Sequence, residues 1–349
     1  MNIKFLYTRR TLGSHLENPR LNNFGLIRLI AALMVMETHS HILTAEDNDF
    51  YYTSFHLDFL GLPIFFFLSG LLVTQSLHNS PSWKNFLWRR FLRIYPAPCL
   101  AILTAALIMG PLVTTCSLKD YFTSPILYKY LEGCSLVHIN FLLPGVFTRS
   151  PLGTDSVNSS LWTIALELKL YLALLIAWLI KIPQKIPLLL LLLAAITITA
   201  SHFLKQDAMS RLLRPWLTLG THFLLGILAY LFKDKIVSRG YWLLLLPIAF
   251  LVSIRLNILY TMGFLLIPAL VIFTATHGIR FLKKITPTAD LSYGLYVFAF
   301  PVQQLVANYL HPANALILFM LSVVAALPLA ILSWFGVEKR ALRLKNRVR

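Results

Sequence analysis

An arginine and a histidine lie in the first long apolar stretch of the chain, FGLIRLIAALMVMETHSHIL. Arg28 and His39 are 11 residues apart, which in an α-helix is about three turns and ~16 Å, with both side chains on nearly one face. Ionisable groups inside a spanning helix are rare and usually functional, because lipid solvates them poorly. The pair could supply a fixed cation and, deeper in the membrane, a general base. A snorkelling arginine with an interfacial histidine is the structural alternative.

Two further arginines precede the third apolar stretch, in the segment WRRFLRIYPAP. Arg90 and Arg93 stand at positions i and i+3, so they project from one face of a helix. Paired guanidiniums suit phosphate recognition, because each is a planar donor that can bind two oxygens at once. Basic residues that contact lipid head groups at the cytoplasmic surface explain the same charge equally well.

The segment VNSSLWTIALELKLYL places polar residues at helical spacing in an otherwise apolar helix. This polar stripe consists of Ser160, Thr163, Glu167 and Tyr171. A carboxylate two turns into a spanning helix needs a wet cavity or a cationic partner, and the candidate partners are Arg28, His39 and Lys169. A carboxylate that orients a catalytic histidine and one that forms a structural ion pair look identical in sequence.

Two weaker patterns remain. Ser69, in GLPIFFFLSGLL, lines a substrate cavity or, with its glycine neighbour, permits close helix packing. Tyr293, Tyr296 and Gln303, in ADLSYGLYVFAFPVQQ, share roughly one helix face and either line a polar cavity or bind neighbouring helices. We expect Asp290 to be interfacial and assign it no role.

The composition is that of a polytopic membrane protein: of 349 residues, 57% are hydrophobic and 13% charged, and the mean hydropathy is +0.70. Soluble domains carry about 25% charged residues. The net charge of +17 could indicate a nucleic-acid partner, but the basic residues lie in short loops between apolar runs, which is typical of membrane topology. The sequence contains neither Cys/His spacing for a metal nor a glycine-rich phosphate loop. We therefore expect no nucleic acid and no metal.

About 20 apolar residues are needed to cross a bilayer. On that criterion the sequence predicts an all-α protein with about ten transmembrane helices, at 24–44, 56–77, 95–115, 158–180, 186–204, 213–232, 241–254, 257–276, 289–310 and 314–335.

The distribution of Lys and Arg predicts the orientation of these helices. The two tails and the loops on the same side hold 22 of them, and the opposite loops hold 7, so both termini are predicted to be cytoplasmic. The predicted domains are a cytoplasmic tail at 1–23, a transmembrane domain at 24–335 and a basic cytoplasmic tail at 336–349. The acidic loop with Glu46, Asp47 and Asp49 and the long loop 116–157 then face outward, and whether Cys116 and Cys134 of that loop are bonded is left open.

Taken together, the motifs resemble the membrane-bound acyltransferase-3 family. The resemblance covers almost the whole chain, in order: Arg28 and His39, IFFFLSG at 64–70, RRFLRIYP at 89–96, NSSLWTIALELKLYL at 158–172, LSYGLYVFAFP at 291–301 and WFGVEKRALRLK at 334–345. The segments GPLVTTCSLKDYF, LPGVF and PVQQ further resemble the NodX-like branch, which includes O-antigen O-acetyltransferases. The chain departs from that branch in IALE, which lacks a proline before the glutamate, and in FFFLSG in place of FFVLSG.

The resemblance implies a bacterial cytoplasmic-membrane enzyme that transfers an acetyl group from cytoplasmic acetyl-CoA to a cell-surface polysaccharide or lipid-linked glycan. It implies that Arg90 and Arg93 hold the CoA phosphates, with the pantetheine arm passing Arg28. His39 would be the general base, and Glu167 would orient it or bind the acceptor. Tyr171 and the region of Tyr293 and Tyr296 would line the cavity.

Two alternatives stay open at this stage. The intramembrane Arg, His and Glu could form the pathway of a transporter or flippase. An acyltransferase could also act on a small-molecule acceptor, because the acceptor surface would lie in variable outer loops. Paired arginines at the cytoplasmic mouth favour the enzyme, since a proton-coupled transporter has no need of a phosphate clamp there.

Overall fold

The computed structural model describes residues 11–18, 22–44, 58–148, 155–181, 191, 193–199, 208–237, 239–256, 258–277 and 290–346. Within these ranges the protein is helical, and its one extended contact is an isolated antiparallel bridge between Thr11 and Val237. The predicted all-α membrane class is confirmed. The predicted span 186–204 lies partly outside the described residues, and the acidic loop Glu46, Asp47 and Asp49 and the basic loop 280–284 lie wholly outside them.

Fifteen α-helices are named here in chain order: α1 Leu12–Glu17, α2 Phe24–Thr44, α3 Asp58–His78, α4 Trp83–Ile94, α5 Pro96–Thr104, α6 Gly110–Val113, α7 Leu118–Thr123, α8 Pro125–Glu132, α9 Leu161–Leu179, α10 Ala208–Leu231, α11 Trp242–Arg255, α12 Leu259–Thr276, α13 Leu291–Leu310, α14 Ala315–Ser333 and α15 Lys339–Arg343. Two π-helical turns, Ala105–Met109 and Trp334–Glu338, and two 3₁₀ turns, Gly133–Ser135 and Leu344–Asn346, adjoin them.

Six helical segments of the described chain are long and apolar enough to cross a membrane: Phe24–Thr44, Leu60–His78, Trp83–Val113, Leu161–Leu179, Leu259–Thr276 and Ala315–Arg343. Pro215–Leu231 and Trp242–Arg255 are shorter apolar helices. The 20-residue helix α13 is not among the six, although the sequence predicts a span there. The count of ten spans is therefore not confirmed.

Local sequence fixes several helix ends. The Ser82 hydroxyl accepts a hydrogen bond from the Asn85 backbone N–H and so caps α4, at 3.2 Å. Asn314 caps α14 in the same way, with its side-chain oxygen 2.9 Å from the Ile317 nitrogen. Helix α13 ends where His311 adopts a left-handed conformation with φ of 44°.

The segment that follows Val113 folds back along the helical segment Trp83–Val113. Buried Tyr121 donates a hydrogen bond to the Ala106 carbonyl within the π-helical turn, at 2.7 Å. Further along the segment, the Cys99 thiol donates to the Cys134 carbonyl at 3.3 Å, and Tyr95 donates to the Ser135 carbonyl at 3.1 Å. The part of the predicted outer loop up to Ser135 thus runs beside α5, and such backbone is tolerated at membrane depth where protein covers it.

The chain divides into two compact units, each built from separated stretches. Unit 1 comprises residues 1–31, 62–79 and 170–287, and unit 2 comprises residues 32–61, 80–169 and 288–349. The division falls inside α2, α3 and α9.

In unit 1, α3 and α10 meet at two glycines. A Cβ atom added to Gly70 would overlap the Phe223 carbonyl oxygen, and one added to Gly226 would overlap the Phe67 carbonyl oxygen. Small residues permit such close approach of backbones, and much of the attraction between membrane helices comes from that packing. The predicted packing role of the Ser69–Gly70 segment is met by Gly70.

In unit 2, the most deeply buried helix is α13, of whose 20 residues 14 are buried. It packs along α14, where an added Cβ at Gly294 would approach the Ala330 Cα to 3.1 Å. Gln303 and Gln304 of α13 are completely buried. The two glutamine side chains of α13 therefore face other protein groups.

The glycine contact predicts a large difference between two identical substitutions in α10. Gly226→Ala should destabilise the protein by about 1–3 kcal/mol, because the new methyl group meets the α3 backbone. Gly220→Ala should leave stability unchanged or slightly raised, because no atom lies within 4 Å of its added Cβ and Ala favours helix. Thermal unfolding of the purified variants in detergent checks this, and equal midpoints would contradict the packing argument.

Candidate active site

Helix α13 binds the turn of α2 that carries His39. The Gln303 amide donates hydrogen bonds to the Met36 carbonyl, at 2.6 Å, and to the Ser40 hydroxyl, at 2.8 Å. These two contacts bracket His39 and fix the rotation of the helix at that point. The imidazole stands edge-on to the Phe300 ring, with the ring centroids 5.0 Å apart at 89°.

The His39 ring is held by packing. Its Nδ1 atom is buried and has no hydrogen-bond partner among the described residues. Buried polar atoms in folded proteins nearly always form a hydrogen bond. An unpaired buried atom such as this one is typical of a catalytic or binding role. The structure also shows Arg28 and His39 on one continuous helix, α2, at the predicted spacing.

Tyr296 of α13 forms hydrogen bonds with the amino-terminal half of α9. Its hydroxyl lies 2.6 Å from the Thr163 hydroxyl and donates to the Ser160 carbonyl at 3.3 Å. The Asn158 amide donates to the Val297 carbonyl at 2.9 Å. Part of the predicted polar stripe is therefore an interhelical contact, and Tyr296, predicted as cavity lining, takes part in it.

Glu167 lies one turn beyond Thr163, within electrostatic range of Tyr296. Among the described residues, no hydrogen bond joins His39 to Glu167. The last member of the stripe, Tyr171, belongs to unit 1, where its hydroxyl lies 2.7 Å from the Ser69 hydroxyl and both residues are buried. The structure thus places the two predicted cavity residues Ser69 and Tyr171 together.

At the amino-terminal end of α13, Asp290 forms an ion pair with Arg93. The Ser292 hydroxyl donates to the other Asp290 oxygen at 2.6 Å. The Arg93 guanidinium also lies over the Tyr293 ring, 5.5 Å from its centroid, and Tyr293 donates to the Ile94 carbonyl at 2.7 Å. Sequence analysis missed this role of Asp290, because the acid and its cation are 197 residues apart.

A second carboxylate stands near the same arginine. Glu338 is almost fully buried at the end of a π-helical turn, accepts a hydrogen bond from Ser333 at 2.8 Å and lies within electrostatic range of Arg93. Two acids therefore compensate Arg93, and Arg93 and Tyr293 together join α4 to α13.

Arg89 and Arg90 of α4 lie near the C-terminal turn. The Trp88 indole donates a hydrogen bond to the Leu344 carbonyl at 3.3 Å, which places Lys345 within electrostatic range of Arg89, Arg90 and Arg93. Burial, together with these guanidiniums, lowers the pKa of Lys345 to about 8. Sequence analysis treats Lys345 only as one of the basic residues of the C-terminal tail. The sequence does not indicate which helix this tail contacts.

The cysteines and cavities add no further chemistry. All three cysteines are free, and Cys134 contacts Cys99. The described residues contain no cluster of three or more potential metal ligands. An apolar cavity of about 300 Å³ lies in unit 1, lined by residues such as Leu174, Trp216 and Phe223, and none of the predicted site residues lines it.

Comparison with known proteins identifies the family. Residues 21–335 match the profile of the acyltransferase-3 family, described as an acyltransferase domain. An O-acetyl transferase of Shigella phage Sf6 is 31% identical over 341 residues, covering 92% of this chain and 96% of the relative. Nodulation protein 10 of Rhizobium leguminosarum bv. viciae is 28% identical over 360 residues, covering 93% and 94%. No solved structure matches the chain. The protein therefore belongs to the acyltransferase-3 family and is a multi-pass membrane acyltransferase.

Proposed function

We propose that the protein transfers an acetyl group from cytoplasmic acetyl-CoA to a hydroxyl of a cell-surface polysaccharide or lipid-linked glycan, such as the O-antigen of lipopolysaccharide. The bacterial cytoplasmic membrane is the proposed location. The name of the phage relative supports acetyl as the acyl group. The 22 to 7 distribution of Lys and Arg supports a cytoplasmic position for the cations of α4.

The observation that carries the proposal is the arrangement of unit 2 along α13. Its first turns contact the Arg93 end of α4, and about ten residues later Phe300 and Gln303 hold the His39 turn. Ten residues of helix span ~15 Å. An extended donor whose phosphates bind at the cationic end could therefore present its thioester near the imidazole.

The chemistry follows from the histidine. A sugar hydroxyl is a poor nucleophile, and a neutral imidazole can remove its proton as the oxygen attacks the thioester carbonyl. The C–S bond then breaks as the tetrahedral intermediate collapses, and the imidazolium returns the proton to the CoA thiolate. Arg28 would accompany the pantetheine arm, as the family resemblance implies.

Glu167 and the tyrosines take supporting roles in this proposal. Glu167 acts on the acceptor or on the Tyr296 hydroxyl, which lies within electrostatic range of it. Arg90 holds a CoA phosphate, and Arg93, which Asp290 already pairs, contributes mainly by holding α4 against α13. Family membership favours this enzyme over a transporter or flippase.

His39→Ala should lower acetyl transfer by about 10²–10⁴-fold, the usual contribution of a general base. His41→Ala is the matched control, because His41 lies two residues away on the same helix and pairs with Glu37 at 3.0 Å. Proton NMR of surface polysaccharide from wild-type, deletion and variant strains measures the O-acetyl signal. Wild-type signal in His39→Ala would remove the histidine from the mechanism, and no difference between wild type and deletion would point to another acceptor.

Arg90→Ala and Arg93→Ala should fail in different ways. Arg90→Ala should raise the KM for acetyl-CoA, because Arg90 is proposed to hold a CoA phosphate. Arg93→Ala should destabilise the protein by about 1–3 kcal/mol, because Asp290 loses its counter-charge, and Asp290→Asn in the same chain should restore part of that loss. Steady-state kinetics and thermal unfolding separate the two, and equal stability of all variants would contradict the anchoring role of Arg93.

Glu167→Gln should reduce turnover while leaving expression and the unfolding midpoint near wild type, because a neutral amide keeps the shape but not the charge of the carboxylate. Quantitative immunoblotting of membranes beside the acetylation assay checks this. Lower protein amount with unchanged activity per molecule would assign Glu167 to structural ion pairing.

A further inference from the structure

The C-terminal turn of unit 2 is docked on the helix that carries the arginines. Helix α15 and the following 3₁₀ turn pack on α4, and the Trp88–Leu344 hydrogen bond fixes the position of that turn. Lys345 is partly buried there, within electrostatic range of Arg89, Arg90 and Arg93. Four cations from two separated parts of the sequence thus share one place.

The charges at this place are unevenly compensated. Arg93 has Asp290 as an ion-pair partner and Glu338 within electrostatic range. Lys345 and Arg89 form no ion pair with any carboxylate in the described part of the chain. Like charges held close together in a partly buried setting repel one another, so an anion that joins them is bound more favourably. An anion with several negative charges matches several cations best.

We propose that Lys345 is a phosphate-binding residue of the acyl-donor site, which binds the nucleotide part of CoA together with Arg89 and Arg90. In this arrangement Arg93 is a positioning residue that acts through Asp290. The inference rests on the proposed function, because it takes acetyl-CoA as the donor.

A lysine suits this task because its ammonium group is a compact charge that can approach a phosphate from many directions. Without an anion, burial and the three guanidiniums of α4 hold the pKa of Lys345 near 8. A bound phosphate favours the charged form and raises that pKa again. Donor binding above pH 8 is therefore accompanied by proton uptake, and donor affinity falls as the pH rises from about 8 toward the ordinary lysine value.

The test compares two donors, acetyl-CoA and acetyl-pantetheine, which lacks every phosphate. Lys345→Gln should raise the KM for acetyl-CoA by roughly 10-fold, the scale of one charge-assisted hydrogen bond, and leave kcat/KM for acetyl-pantetheine unchanged. Lys345→Arg should keep most of the acetyl-CoA affinity. Lys339→Gln is the matched control, because Lys339 is an exposed cation on α15 that lies over the Phe335 ring.

The pH profile gives a second readout. Wild-type KM for acetyl-CoA should rise between pH 8 and 9.5, and in Lys345→Arg this rise should disappear. The other charged groups facing Lys345 are the three arginines of α4, with Asp290 and Glu338 beyond Arg93. Lys345→Arg leaves all of these groups in place, so a rise that disappears in this variant is assigned to Lys345.

Several outcomes would overturn the inference. Equal loss with both donors would show that Lys345 supports the fold, and an unchanged KM in Lys345→Gln would show that it does not contact the donor. If Lys345→Gln weakened retention of phosphatidylglycerol in nanodiscs while the acetyl-CoA KM stayed at wild type, the phosphate would be that of a lipid head group. A wild-type protein that neither binds nor uses acetyl-CoA would refute the proposed function itself.

Discussion

A polar group that faces hydrocarbon costs free energy unless another protein group satisfies it, and helix α13 is arranged around that constraint. Its amides and hydroxyls reach α2 through Gln303, the start of α9 through Tyr296, and α4 through Tyr293. Each contact satisfies a polar group and also sets the rotation of the helix it touches. The orientation of His39 and the placement of the α4 arginines therefore depend on the same buried helix.

The same constraint explains the ion pair at the start of α13. Arg93 lies one turn beyond Arg90 on α4 and pairs with Asp290, the residue that precedes α13. A compensated guanidinium is a good structural tie and a weaker binder of further anions, since its charge is already matched. In the proposed donor site, a polyanion would then be bound mainly by the other cations that lie beside the C-terminal turn.

Much of this site is local and could be predicted from the sequence. Arg28 and His39 share a helix at a spacing that periodicity gives directly, and Tyr293 and Tyr296 share a face for the same reason. The partners could not be predicted, because each partner comes from a distant stretch: Gln303 contacts a residue 267 positions away, and Trp88 one 256 positions away. The path of the chain beyond Thr114 also escaped prediction, since it depends on Tyr121 finding the π-helical turn of the third span.

The order in which the helices of unit 2 are synthesised affects how this unit assembles. Helices α2 and α9 are synthesised, respectively, about 260 and 140 residues before the α13 side chains that bind them. During that interval the Ser40 hydroxyl, the Asn158 amide and the imidazole next to Phe300 must be accommodated by water, by the insertion machinery or by temporary neighbours. Chain elongation thus sets a minimum waiting time before the helices of unit 2 can pack together. Because α13 arrives late, a delay or pause in its synthesis prolongs the period in which the earlier polar helices are open to misassembly.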